Sequence, residues 1–296
     1  MQAMASATTT LRATFNDQGY VLVKNLIPDA IGNRVLEDLR LATAQLLQSR
    51  GLLTPELDRG ELLELLKAVF SFDLNLYLSI LRLGSKLQSV HALALHERLI
   101  HLLNELGCKA SVLPCGVAIH LVGDELKIPG GYFGWGAHQD WSSAQGSLDQ
   151  LVLWTPLMDV DRDFYPVEII PGSHKLGVLP GDRQNANNRG ALITIQPGIV
   201  DEKDFVPVEM KRGDVLMFSG LLVHRTGIGT RKGLRIACGA RFDNLEEDTF
   251  VDRGYPCAFR LHAETQILHP GFPTADEVHR LFPKPAIRDS AYTQLS

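Results

Sequence analysis

In this 296-residue sequence the residues best placed to do chemistry are His138 and Asp140, within Trp135-Gly-Ala-His138-Gln-Asp140-Trp141. Two positions apart on an extended chain, their side chains point the same way. A neutral imidazole and a carboxylate converging on one point make half of a metal site. A second imidazole would complete the facial set of two His and one carboxylate that leaves positions open on Fe(II) for dioxygen and a co-substrate. His224, in Val223-His224-Arg225-Thr226, is the candidate for that ligand; the plainer reading is a His at a strand end in an ordinary turn.

Spacing alone is weak evidence. Ten His and 34 acidic residues give about one His-x-acid pair by chance in a chain of this length. Two occur, and the second, His262-Ala-Glu264, has no partner pattern and reads as ordinary surface. Arg235 adds weight, because it lies eleven residues after His224 inside the apolar Leu234-Arg-Ile-Ala-Cys-Gly. An Arg is rarely buried without a partner, and its fork suits a carboxylate held by two hydrogen bonds. A co-substrate with two carboxyl ends would use both features, chelating the metal with one end and meeting Arg235 with the other.

The surrounding elements have to bring these residues together. Residues 1–10 are small and polar and are expected to form a flexible tail, with Gly19 turning the chain into a strand at Tyr20, Val21 and Val23. From Ile31 to Gln48, and again from Leu62 to Leu106, apolar residues recur at helical spacing, so residues 11–107 read as mainly helical. After Gly107 the pattern changes to short strands separated by Gly-containing turns, placing His138 and Asp140 at the start of one strand and His224 at the end of another. Helices followed by many short strands imply an α+β, mainly β fold: a double-stranded β-helix, or jelly roll, over residues 108–244 with helices packed on one side. Residues 245–296 are expected to wrap the surface, and residues 11–296 to form a single domain. The Gly-rich Pro129-Gly-Gly-Tyr-Phe-Gly-Trp-Gly136 running into His138 reads equally as a lid over the site and as a plain connection.

Composition narrows the partners. A formal net charge of −5 with no run of Lys or Arg gives no electrostatic footprint for nucleic acid or an anionic membrane. Four cysteines without a CxxC read as reduced thiols, and neither a secretion signal nor an eighteen-residue apolar span is present, so a cytoplasmic protein is expected. Trp141, Ser142, Gln145 and Arg241 are candidate substrate contacts, Arg241 because strand alternation puts it on the same face as Arg235. A surface charge is the competing reading of Arg241. Substrate identity and oligomeric state are left open.

Together these segments resemble the phytanoyl-CoA dioxygenase-like family of Fe(II)/2-oxoglutarate oxygenases, over roughly Phe15 to Phe242. The resemblance is carried in order by Gly19-Tyr20-Val21, His138-Gln139-Asp140, Trp154-Thr-Pro-Leu157, Pro171-Gly-Ser-His174, Gly213-Asp-Val-Leu-Met-Phe218 before His224, and Arg235. It implies that His138, Asp140 and His224 hold iron, that Arg235 and Thr226 hold the far carboxylate of 2-oxoglutarate, and that Trp154 and His120 line the same pocket. His174 is expected to be structural. Where the family usually has Asn-Gly-Pro, this chain has Asp163-Phe-Tyr-Pro166, a turn expected to touch no ligand. The implied reaction is oxidative decarboxylation of 2-oxoglutarate coupled to hydroxylation, desaturation or demethylation of a small molecule, since related halogenases lack the carboxylate present at Asp140. The alternative is a cupin-like hydrolase or isomerase with zinc or nickel on the same three ligands, for which Arg235 has no general use.

Overall fold

A computed structural model describes residues 2–128, 134–182, 193–258 and 274–281. Seven helices come first: α1 (Gln2–Gln18), α2 (Asp29–Ser49), α3 (Pro55–Arg59), α4 (Leu62–Phe72), α5 (Leu74–Gly84), α6 (Gln88–Ala94) and α7 (Glu97–Leu106), with β1 (Tyr20–Val23) between the first two. Strands β2 (Ser111–Val112) and β3 (Ala118–Gly123) follow, then the short helix α8 (Asp140–Ala144). The chain continues through β4 (Leu151–Pro156), β5 (Val167–Ile169), β6 (Gly181–Asp182), β7 (Thr194–Ile195), β8 (Val206–Val208), β9 (Val215–Ser219), β10 (His224–Thr226) and β11 (Leu234–Asn244). Helices α9 (Asp248–Asp252) and α10 (Ala275–Leu281) complete the described chain.

Where a flexible tail was expected, the chain is helical from Gln2 onward, and Phe15–Gln18 continue that helix instead of forming a turn. The segment holds Ala3, Ala5, Ala7 and Ala13 and no Gly or Pro before Gly19, a composition that favours helix despite its small, polar look. Gly19 ends it with φ +78, and a Cβ there would fall 2.4 Å from the imidazole of His174. His174 is thus structural, buried against the α1–β1 corner with Nε2 on the carbonyl of Asn16.

The strands form an antiparallel six-stranded sheet ordered β1-β9-β4-β11-β2, with β3 also on β11, facing a three-stranded sheet β10-β5-β8 and the pair β6-β7. Side-chain alternation along the large sheet builds two cores. Leu151 and Leu153 of β4, Val215 and Met217 of β9, and Ile236, Cys238 and Phe242 of β11 pack against α2, α4, α6 and α7. Val152, Trp154, Leu216, Phe218 and Ala237 face the other way and meet Val167, Ile169 and Val208 of the small sheet. This is the double-stranded β-helix with helices on one side, and it explains why Leu151–Leu157 reads as a continuous apolar run: the strand is covered on both faces. Of the expected C-terminal wrap, residues 259–273 and 282–296 lie outside the described residues. The described helices include none long and apolar enough to cross a membrane.

Helix α2 shows how the helical layer is fixed. Its buried residues Val35, Leu39, Thr43 and Leu47 fall every four positions and form one stripe toward the sheet. Leu41, which the apolar spacing also marked, is 57% exposed, whereas Leu39 is fully buried. Burying each such side chain contributes roughly 1.5–3 kcal/mol. Leu39→Ala should therefore lower unfolding free energy by about 2–5 kcal/mol, and Leu41→Ala by no more than about 0.5 kcal/mol, in urea denaturation. Equal losses would contradict this orientation of α2.

Candidate metal centre

The site is built where a loop crosses a strand. His138 lies in extended chain opposite His224, the first residue of β10, and each donates its N–H to the other's carbonyl at 3.0 Å. Two residues paired in this way point their side chains to the same side, and the imidazole centroids are 4.0 Å apart. Asp140 opens α8 and does not continue a strand as expected; yet Gln139 is extended (φ −117°, ψ 129°), so the two-residue alternation holds across the motif. Asp140 Oδ1 is 3.4 Å from His138 Nε2 and 3.9 Å from His224 Nε2. The three residues are buried, and their ligand atoms lie within 4.8 Å of one another. His262 and Glu264 lie outside the described residues.

Hydrogen bonds set the chemical state of each ligand. His138 Nδ1 meets the carbonyl of Gly136 at 2.7 Å, and His224 Nδ1 that of Leu222 at 3.0 Å. A carbonyl only accepts, so each Nδ1 carries the proton and each Nε2 presents a lone pair to the centre. Burial, with His138 beside it, pushes His224 down to about 3, which keeps it neutral at physiological pH. Burial alone would raise the Asp140 carboxyl, but the adjacent Arg241 guanidinium outweighs it and holds Asp140 well below the usual carboxylate range. Two neutral imidazoles and one carboxylate, all directed at a single point, form the donor set that suits non-haem Fe(II).

A cavity of about 320 Å³ adjoins the triad, lined also by His120, Trp135, Trp154, Phe218, Thr226, Arg235 and Arg241. Arg235 is buried; its Nε donates to the Tyr165 carbonyl at 3.2 Å, and its guanidinium carbon lies 5.4 Å from the Trp154 ring centre. The turn Asp163–Pro166 therefore touches the site after all, through the backbone of Tyr165. Thr226 Oγ1 accepts the Trp135 N–H at 3.1 Å, leaving its own proton to donate. His120 fits beside the strand because position 239 is glycine: a Cβ there would come within 2.8 Å of His120 Nε2. Burial followed by the charge of Arg235 pushes His120 down to about 3.

Other expected contacts lie elsewhere. Trp141 is buried against Val178, Leu221 and Val278, with its indole N–H on the carbonyls of Gly146 and Ser147, and it does not line the cavity. Gln145 and Ser142 are likewise buried away from it; Gln145 ends α8 at φ +50 with its carbonyl held by Arg253. Arg241 does reach the cavity, where it forms an ion pair with Asp140 that alternation along β11 could not reveal. The sequence also gave no role to Gln139, whose amide donates to the carbonyls of Gly177 and Leu221 and accepts the N–H of Leu179. The alternation that aims His138 and Asp140 inward aims Gln139 at these loops, which was the available signal. Of the Gly-rich segment expected as a lid, residues 129–133 lie outside the described residues; Gly134 has φ +80 and packs on Thr226.

The phytanoyl-CoA dioxygenase (PhyH) family matches residues 90–236. The peroxisomal phytanoyl-CoA dioxygenase of Homo sapiens is 24% identical over 259 residues, covering 79% of this chain and 68% of that protein. Among solved structures, the fold is similar to that of the epimerase SnoN in complex with Fe3+, alpha ketoglutarate and nogalamycin RO. That similarity has a TM-score of 0.53 at 16% identity, over 92% of this chain and 98% of the other. It is also similar to the non-heme monooxygenase ThoJ, with a TM-score of 0.52 at 17% identity over 79% of this chain and 77% of the other. The family match spans His138, Asp140, Trp154, His224, Thr226 and Arg235, and with the human relative it supports a phytanoyl-CoA dioxygenase-like family member.

Proposed function

We propose that this protein is a non-haem Fe(II)- and 2-oxoglutarate-dependent dioxygenase that hydroxylates a small-molecule substrate. The reading rests on one observation: a buried His-Asp-His triad shares a cavity with Arg235 and Thr226, two groups suited to a carboxylate. His138 Nε2, Asp140 Oδ1 and His224 Nε2 would hold the metal. Fe(II), when bound, supplies open coordination positions at which dioxygen and 2-oxoglutarate react, giving succinate and carbon dioxide and oxidising a C–H bond of the substrate.

The chain's own residues do the positioning. The Arg235 guanidinium would grip the far carboxylate of 2-oxoglutarate with two parallel hydrogen bonds, with the Thr226 hydroxyl adding a third donor. Trp154 backs the guanidinium, and Val152, Val167 and Phe218 give the cavity apolar walls that exclude water and strengthen these charge contacts. At about 320 Å³ the cavity is at the small end of ligand sites, which favours a small substrate or one arm of a larger one. The metal hydrolase reading is weaker. Among the described residues lining the cavity Asp140 is the one carboxylate, and it is committed to the triad; His120, pushed down to about 3, is a poor base for water at neutral pH.

Two substitutions test the reading. His224→Ala should abolish Fe(II)-dependent succinate formation from 2-oxoglutarate, assayed across a metabolite panel, while the far-UV circular dichroism stays that of the parent. The fold survives because the His138–His224 bridge runs through the main chain. Parent-level turnover in this variant would rule out His224 as a ligand. Arg235→Lys keeps the charge but loses the fork, and should raise the apparent KM for 2-oxoglutarate by roughly tenfold, about 1.4 kcal/mol of lost binding. An unchanged KM would make Arg235 structural and favour the hydrolase.

A further inference from the structure

The guanidinium of Arg241 meets Asp140 edge to edge. Its Nη2 donates to Oδ1 at 2.9 Å, and its Nε lies 2.9 Å from Oδ2. Asp140 is buried and the Arg241 side chain is only 13% exposed, so this is no solvent-screened surface pair. Asp140 Oδ1 faces both imidazoles, at 3.4 and 3.9 Å, and also accepts from Arg241 Nη2, whereas Oδ2 has Arg241 Nε against it and neither imidazole. The Cys115 thiol also lies against Arg241. Arg241 falls beyond the stretch 90–236 that the family match covers.

We propose that Arg241 is a positioning residue that fixes the Asp140 carboxylate so that only Oδ1 is offered to the metal, keeping the remaining coordination positions open. The inference builds on the oxygenase reading. A carboxylate free to rotate can close both oxygens on one metal and occupy a position that a chelating co-substrate needs. With Oδ2 held against the guanidinium at 2.9 Å from Nε, that second contact requires pulling it out of a largely buried ion pair. Arg241 also balances the charge of Asp140 inside the protein before metal enters, so the ligand set can fold with its carboxylate ionised.

The other role open to Arg241 is to bind an anionic group of substrate or co-substrate. Two features favour the positioning role. The guanidinium is already in ion-pair contact with both oxygens of Asp140, and an incoming carboxylate would have to displace it. Along β11, Arg241 lies six positions after Arg235, so their α-carbons are roughly 20 Å apart at about 3.3 Å per residue, and each guanidinium serves its own end of the cavity.

The test separates charge from geometry with Arg241→Gln, which loses both, and Arg241→Lys, which keeps the charge on a single ammonium. Calorimetric titration of Mn2+ into each protein, and then of 2-oxoglutarate into the Mn2+-loaded protein, reads the two steps without turnover. Expected is a split: Mn2+ affinity within about threefold of the parent in both variants, because losing orientation and losing a nearby positive charge oppose each other in Arg241→Gln, and 2-oxoglutarate affinity lower by roughly tenfold in both. Parent-like 2-oxoglutarate affinity in Arg241→Gln overturns the proposal. So does full retention by Arg241→Lys alone, which would make Arg241 a charge contact for the co-substrate, and so does parallel loss of Mn2+ and 2-oxoglutarate binding in both variants, which would make it structural. If Arg241→Gln does not fold, Arg241→Lys carries the same decision. A parent that binds Mn2+ but no 2-oxoglutarate refutes the oxygenase reading itself, and is distinguished from failure of this inference by the parent titration alone.

Discussion

The site depends on a single pair of main-chain hydrogen bonds, those exchanged by His138 and His224 at 3.0 Å. Such a pair sets the α-carbons about 5.5 Å apart and places both side chains on one face, so the separation of the imidazoles follows from backbone geometry. What remains is to fix each ring's rotation. The carbonyls of Gly136 and Leu222 do this through Nδ1, and Phe218 closes on the His224 ring edge at 4.6 Å between centroids. Gln139 secures the other direction. Pointing away from the metal, its amide ties the motif to the chain at Gly177, Leu179 and Leu221, so the loop carrying two ligands is bound to the turn that precedes the third.

Much of this was legible because the chemistry-bearing residues stand in apolar surroundings. An Arg within Leu234-Arg-Ile-Ala-Cys or a His after Leu-Leu-Val has few structural reasons to be there, and each such position lines the cavity. The double-covered β4 and the four-residue stripe of α2 were legible for a similar reason, since long-range burial leaves a local periodic trace. The pattern failed where local geometry changes within a few residues. Trp141 follows a metal-binding residue but belongs to α8, and a helical step of about 100° per residue carries it into a separate apolar cluster. His224 was placed at the end of a strand because Leu221-Leu-Val-His looks like one, whereas that apolar run is the turn before β10.

Pairings across long sequence separations left the least trace. Alternation could place Arg241 on the face of Arg235, but its partner is 101 residues away in a short helix whose start no periodicity marks. Sequence reading therefore offered substrate contact and surface charge as the choices, while the fold supplied a third partner. The same limit applies to Tyr165, whose carbonyl orients Arg235 from a turn that looked remote from any ligand.

Strand β11 divides stability from chemistry within eleven residues. Its outer side chains, Ile236, Cys238, Ala240 and Phe242, pack on the helical layer, while Arg235, Ala237, Gly239 and Arg241 face inward. One buried and one largely buried guanidinium on one strand face carry a large desolvation cost, and each is offset differently. Arg241 is matched by a full carboxylate charge, which makes it a fixed part of the ligand set. Arg235 has the Tyr165 and His120 carbonyls and the face of Trp154 around it, partial charges that orient the cation. A guanidinium held in this way lines the cavity with its fork oriented, and a dianionic co-substrate is a ligand chemistry able to use it. Between the two, Ala237 and Gly239 stay small because Ala237 is buried in the core and a Cβ at 239 would meet His120, so the inner face is as tightly fixed as the outer one.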